Sequence, residues 1–310
     1  MSSFPSLRLS LRASGAGLVL LAAVLWGTVG VASKLLFRTA DIAPLTVGFY
    51  RLAVAAPLLF VLARLLPRIS WIAVDRRNAV LFVVLGLTQA GYQGLYFVAV
   101  ARLGVIPATL VALCMAPVLI TVLAALVLGE RAKFLSWLAV PVAVAGALLL
   151  VGGPGAGPGS SGDAWGYAAA AGAALSYATF ALTGRVLAGA HHPFQIIALG
   201  FGAGALMLMP FAAMQGLAPA VPPAAWGLVL YMAVVPTALA YAVFLLGMRF
   251  VTATASGVLV LAEPLTAAIL AFVLFGENLG AWQFAGGGLL VVAVALVSLP
   301  DRTTEQPEPS

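Results

Sequence analysis

Two ionisable side chains lie inside long apolar runs of this 310-residue sequence, where an unpaired charge is expensive. Glu263 sits mid-run in 252–275 and is followed by Pro264, which removes a backbone donor and loosens the local helix. Such a carboxylate must be protonated, paired or in contact with water. Its candidate chemistry is proton coupling or the binding of a substrate amine. The competing role is a neutral carboxyl bonded to a freed carbonyl. Arg51 lies a third of the way into 44–66. It is expected to fix a helix end by bonding carbonyls or to snorkel towards a headgroup, with a substrate carboxylate as the alternative partner.

A third group is a stripe. Gln89, Tyr92, Gln93 and Tyr96 follow the spacing i, i+3, i+4, i+7 and so share one helix face. A polar, aromatic face at membrane depth turns away from lipid, either to line a wet cavity or to bind neighbouring helices. Cavity lining is the expected role, with Thr237 and Tyr241, one helical turn apart, on the opposite wall. Trp26 and Tyr177 are further lining candidates.

The elements that position these residues follow from composition. The chain is 63% hydrophobic and 8% charged, against about 45–50% and about 25% in soluble domains, so lipid is part of its solvent. Ten apolar runs stand out, near 15–36, 44–66, 79–100, 105–128, 134–151, 164–187, 194–215, 224–247, 252–275 and 281–299. Each is long enough to cross about 30 Å of hydrocarbon as a helix. None alternates with the period of two that a barrel strand shows. The first run follows Arg8 and Arg12 but lacks a clear cleavage site, and is expected to be a retained span rather than a signal peptide.

The expected divisions are a cytoplasmic segment 1–13, a five-helix unit 14–151, a Gly/Pro-rich linker 152–163, a second five-helix unit 164–299 and a cytoplasmic tail 300–310. With the N-terminus in the cytoplasm, Arg8, Arg12, Arg64, Arg68, Arg76, Arg77, Arg131, Lys133, Arg185, Arg249 and Arg302 face inward. Only Lys34, Arg38 and Arg102 then face outward. This eleven-to-three bias predicts both termini inside. It also accounts for the net charge of +6 without a nucleic-acid partner.

The two units are copies. A shift of 147 residues lays 96–131 on 243–278 with nine identities, among them Arg102/Arg249, Pro117/Pro264 and the pairs Gly129/Gly276 and Glu130/Glu277. A shift of 151 lays Trp26 on Tyr177 and Lys34 on Arg185. Because each unit has an odd number of spans, the second enters the membrane upside down, an arrangement suited to alternating access.

These residues resemble the EamA family of the drug/metabolite transporter superfamily. The resemblance is carried by Leu25-Trp26-Gly27 with Lys34, Phe49-Tyr50-Arg51, and Tyr96-Phe97-Val98-Ala99 with Arg102. Ala116-Pro117 with Gly129-Glu130-Arg131, and Glu263-Pro264 with Gly276-Glu277, complete it. It spans about 15–299. It implies an all-α membrane protein of ten transmembrane helices, arranged as two inverted five-helix repeats around a central cavity. It also implies export of small metabolites, often amino acids, from the bacterial cytoplasm. The sequence departs from the family pattern at Ala116, where the usual acid is missing from the first copy.

The remaining candidates are structural or gating. Glu130 and Glu277 each follow a glycine that suits a helix C-terminus, and are expected to favour the N-terminus of the next helix. Lys34 and Arg185 end their spans as anchors or gate charges, and Pro117 matches Pro264. No metal or cofactor site is expected: His191 and His192 are adjacent without a nearby acid, and Cys114 is alone. No phosphate loop is present, so ATP is not the expected energy source. The substrate is expected to be a small solute, an amino acid before a nucleobase or sugar, with a proton as candidate coupling ion. An intramembrane enzyme would need a nucleophile or acid cluster, and a channel a filter or charge ring; neither pattern is found. Oligomeric state leaves no mark on the sequence.

Overall fold

The computed structural model describes residues 4–65, 74–103, 105–130, 134–152, 163–217, 221–276 and 280–298, with the side chains of the first helix from Ser14 onward. Glu277, Arg131, Lys133 and most of the linker and tail lie outside the described residues.

Ten helical segments run in sequence, and no strand occurs among the described residues. They are α1 (Phe4–Thr39), α2 (Pro44–Leu65), α3 (Arg76–Leu103), α4 (Val105–Leu128), α5 (Phe134–Gly152), α6 (Ala164–Ala188), α7 (Pro193–Met214), α8 (Pro223–Gly247), α9 (Ala253–Phe275) and α10 (Ala281–Ser298). Several extend past the apolar run that predicts them. α3 takes in Arg76, Arg77 and Arg102 at its ends, because helical hydrogen bonding continues where hydrophobicity stops.

Seven of the ten, α1 to α4 and α7 to α9, are long and apolar enough to cross a membrane by length and composition. The chain is therefore a multi-pass membrane protein. α5 and α10 carry shorter apolar stretches. α6 is not among the seven, because its sequence is rich in alanine, glycine, serine and threonine and poor in large apolar residues. Those small residues suit an interior helix, and thirteen of them and their neighbours are buried. Large apolar side chains instead coat the outside. Leu126 is 77% exposed and Met214 86%, a cost in water that lipid removes.

The main helix pairings are α2 with α7, α5 with α10, α3 with α6 and α7, α4 with α6, α8 with α1 and α2, and α9 with α1. α5 and α10 touch backbone to backbone. A Cβ placed on Gly286 would lie 2.5 Å from Leu150 N and 2.6 Å from Gly146 O. Gly286→Val is expected to force these helices apart at a cost of about 3 kcal/mol, the upper end for overpacking. The fall in melting midpoint in detergent, followed by tryptophan fluorescence, checks this.

Candidate functional site

Among the described residues two helices are irregular, and each irregularity lies at or just before a proline. In α8 the residues Val234–Leu239 form a π-helical turn around Pro236. Pro236 has no N–H to give to the carbonyl of Met232, one turn earlier. The hydroxyl of Thr237 donates to that oxygen instead, at 2.7 Å. α9 breaks at Val260 and Leu261, between Ala253–Leu259 and Ala262–Phe275. Pro264 cannot donate to Val260 O, and the N–H of Glu263 takes its place at 2.9 Å. Glu263 therefore stands in the first turn of a half-helix, where the exposed N–H groups favour negative charge. The matching Ala116-Pro117 leaves α4 unbroken. The two halves of the chain thus differ in backbone as well as in side chain.

Both breaks open onto the same place. Glu263 is half-buried, and Arg51, Tyr92, Tyr96, Tyr177 and Tyr241 all lie within its electrostatic reach. Arg51 does not run to a helix end or to a headgroup, as its position in the sequence leads one to expect. Its Nε donates to Thr237 Oγ1 at 2.9 Å, which turns the guanidinium inward from α2 to the π turn of α8.

Aromatic rings pack around these groups. The Trp26 indole packs against Tyr241 at 4.7 Å between centroids, against Phe244 at 5.2 Å and against Tyr177 at 6.5 Å. Tyr92 stacks on Tyr96 at 6.0 Å and meets Tyr177 at the same distance. The amide of Gln89 donates to the Tyr241 hydroxyl at 3.2 Å, and Tyr96 shares a hydrogen bond with Thr109 of α4 at 2.7 Å. Three buried polar atoms here have no partner among the described residues: Trp26 Nε1, Gln89 Oε1 and Tyr177 Oη. Each such atom costs about 1–3 kcal/mol unless something satisfies it.

Eight of the nine lining residues expected from the sequence thus fall in one region, contributed by α1, α3, α6, α8 and α9. Gln93 is also buried, and its amide lies beside Gly48 of α2. Thr109, Phe180, Phe201 and Phe244 belong to the surroundings although sequence reasoning did not select them. Phe244 alone carried a signal, its match to Phe97. Among the described residues, no group of three or more His, Cys, Asp or Glu side chains is placed to hold a metal.

The sequence model of the EamA-like transporter family matches this chain twice, over residues 13–152 and 164–299. The chain belongs to that family. A relative in Bacillus subtilis strain 168, the uncharacterised transporter YwfM, is 31% identical over 94% of this chain and 95% of its own length. The uncharacterised inner membrane transporter YicL of Salmonella typhimurium is 27% identical over 92% and 95%. A solved structure described only as the crystal structure of a protein superposes with a TM-score of 0.78, over 92% of this chain and 96% of that one. At 23% identity the likeness is one of fold.

In this EamA-like chain the doubled Gly-Glu signature shapes a helix junction. Gly129 and Gly276 both adopt left-handed backbone, with φ of 63° and 65°, ending α4 and α9. The acid after Gly129 caps a helix distant in sequence. Glu130 Oε2 accepts from Ala253 N at the start of α9, at 3.0 Å, and Oε1 pairs with Arg185 of α6 at 2.7 Å. Arg185 also donates to the carbonyls of Met248 and Val251, so α4, α6 and the α8–α9 turn are tied at one point. Lys34, the counterpart of Arg185, lies 4.1 Å above the Phe275 ring, one residue before Gly276. Glu130→Gln leaves a three-quarters-buried guanidinium without its counter-charge. It is expected to cost about 2 kcal/mol, between exposed and buried ion pairs. Arg185→Met should add little on top of it when both melting midpoints are compared.

A second charged contact lies outside the spans. Arg102, at the end of α3, pairs at 3.1 Å with Asp163, which caps α6 by accepting from Gly166 N. The Gly166 N–H, and then Arg102, hold the Asp163 carboxyl below its usual range. In the sequence alone Asp163 is no more than the last residue of the expected linker.

Proposed function

We propose that this protein is a secondary transporter that exports small metabolites, amino acids foremost, across the bacterial cytoplasmic membrane by alternating access. The observation that carries this reading is the grouping of Glu263 and Arg51 within a tyrosine- and tryptophan-lined space. A carboxylate and a guanidinium offer opposite charges to the two ends of a zwitterion. Aromatic faces accept an apolar or aromatic side chain, and Trp26 Nε1, Gln89 Oε1 and Tyr177 Oη await polar partners. Glu263 also serves as the candidate proton carrier.

The architecture we propose is ten spans in two inverted five-helix repeats, 14–151 and 164–299, with both termini in the cytoplasm. The eleven-to-three charge bias supports the orientation. The pairings support the symmetry. Exchanging α1 with α6, α2 with α7, α3 with α8, α4 with α9 and α5 with α10 turns the contact of α3 with α6 into that of α8 with α1. It likewise turns α4 with α6 into α9 with α1, and leaves α2–α7 and α5–α10 unchanged. The Glu130–Arg185 junction then closes the cytoplasmic mouth, and Lys34 stands at the opposite one.

Counterflow in proteoliposomes tests this. Vesicles loaded with unlabelled L-phenylalanine, L-leucine, L-threonine, adenosine or glucose are diluted into a trace of the same labelled solute. Transient accumulation of the labelled amino acids is the expected result. Accumulation of adenosine or glucose alone overturns the amino-acid assignment, and no accumulation of any solute overturns the carrier.

A further inference from the structure

We infer that Thr237 is a positioning residue: its hydroxyl turns the backbone defect made by Pro236 into a mount for Arg51, and so sets where the cationic end of the substrate site lies. The inference deepens the transporter reading and rests on it for the role of Arg51.

The hydrogen-bond polarity leaves little freedom. A guanidinium only donates, so Thr237 Oγ1 must accept from Arg51 Nε. The hydroxyl has one hydrogen, and it goes to Met232 O, the carbonyl that Pro236 cannot serve. One buried oxygen, on a residue 1% exposed, therefore makes both bonds. Remove Pro236 and the carbonyl has a regular backbone donor within reach. Remove the hydroxyl and both the carbonyl and the guanidinium lose a partner. A hydrogen bond to a charged group is worth about 1.5–3 kcal/mol, so the loss should be felt at the site as well as in the fold.

The arrangement also explains why the π turn lies where it does. A π turn inserts one residue into the helix and rotates the side chains beyond it. Tyr241 follows one helical turn after Thr237 and receives the Gln89 amide. Arg51 from α2 and Gln89 from α3 thus both read their position from α8, on either side of the space that Glu263 faces. The corresponding stretch of α3, around Gln89 and Ala90, is regular α-helix and carries neither the proline nor the hydroxyl. The mount belongs to the second half alone, as does the membrane acid.

Thr237→Val keeps the shape and removes both bonds, whereas Thr237→Ser keeps the hydroxyl. We measure KM and maximal rate for L-phenylalanine counterflow in both variants, in the native and Arg51→Met backgrounds, and the melting midpoint of all six proteins in detergent. Positioning of Arg51 predicts that Thr237→Val raises KM about tenfold, the size of a lost charged hydrogen bond, with the maximal rate largely kept. Thr237→Ser stays within about twofold, and in the Arg51→Met background Thr237→Val also changes KM by less than about twofold. An equal rise in KM in both backgrounds shows that the hydroxyl serves only the Met232 carbonyl, and overturns the inference. The melting midpoints form a second cycle that needs no substrate. If wild-type protein moves none of the three amino acids, the amino-acid reading falls. Additive melting shifts would then show that the Arg51–Thr237 bond is not made, and non-additive shifts that it is.

Discussion

Glu263→Gln should reduce transport about a hundredfold and remove what remains of its pH dependence. Two effects act together. The first is electrostatic: Glu263 lies within the electrostatic reach of the half-buried Arg51, and the substitution takes away the negative charge that faces the guanidinium. The second is mechanistic. A glutamine cannot take up or release a proton, so a coupled carrier becomes at best a downhill one. Glu263→Asp keeps the charge on a shorter arm and should retain part of the rate. The measurement is counterflow against pH gradient-driven uptake in the same vesicles. Near-native uptake by Glu263→Gln, with an unchanged pH profile, would remove the proton from the mechanism and leave Glu263 a structural carboxyl at the break in α9.

Gly27→Val is expected to abolish transport while allowing the protein to insert. Gly27 sits where α1 rests on the half-helix of α9. A Cβ there would lie 2.6 Å from Thr266 Cβ and 2.8 Å from the carbonyl oxygen of Glu263 itself. The second of these atoms is backbone, so no rotamer change relieves the clash. α1 must move off α9, and it carries Trp26 with it, the ring that packs on Tyr241 and Tyr177. Cavity geometry is sensitive to such shifts: a displacement of about 1 Å in a positioning element costs about a hundredfold in comparable sites. Gly27→Ala should be intermediate. Retained transport in Gly27→Val, with a native melting midpoint, would mean that α1 slides without consequence and that Trp26 does not line the site. The Trp-Gly pair, weak as a motif by itself, thus acquires a physical reason: glycine allows the approach and tryptophan uses it.

Much of this molecule is legible in one dimension because its strongest constraints are local. Hydrophobicity marks helices in lipid, since every backbone group must bond within its own segment. The stripe Gln89–Tyr92–Tyr96 follows from the 3.6-residue period alone. The spacing Pro…Gly-Glu repeats after 147 residues, and the glycines at its end are left-handed in both halves because the turn requires it. The cost of a charge at membrane depth singles out Glu263 and Arg51 before any coordinates exist.

What the sequence could not decide is which of these groups meet. Local sequence points Arg51 towards a helix end because nothing nearby offers it a partner; its partner lies 186 residues away, in the π turn at Pro236. Glu130 stands next in sequence to α5, and it caps α9 because α4 ends where α9 begins in the bundle. Gln93 shares the stripe of Gln89, and that its amide meets Gly48 of α2 is a contact no local pattern gives. How deeply α6 is buried, with thirteen of its residues inside, also follows only from the packing. The sequence by itself determined the helices, the duplication and the costly charges, for these depend on periods and on solvent. Tertiary structure alone decided the contacts between segments far apart in sequence, because helix packing joins surfaces that no local pattern relates.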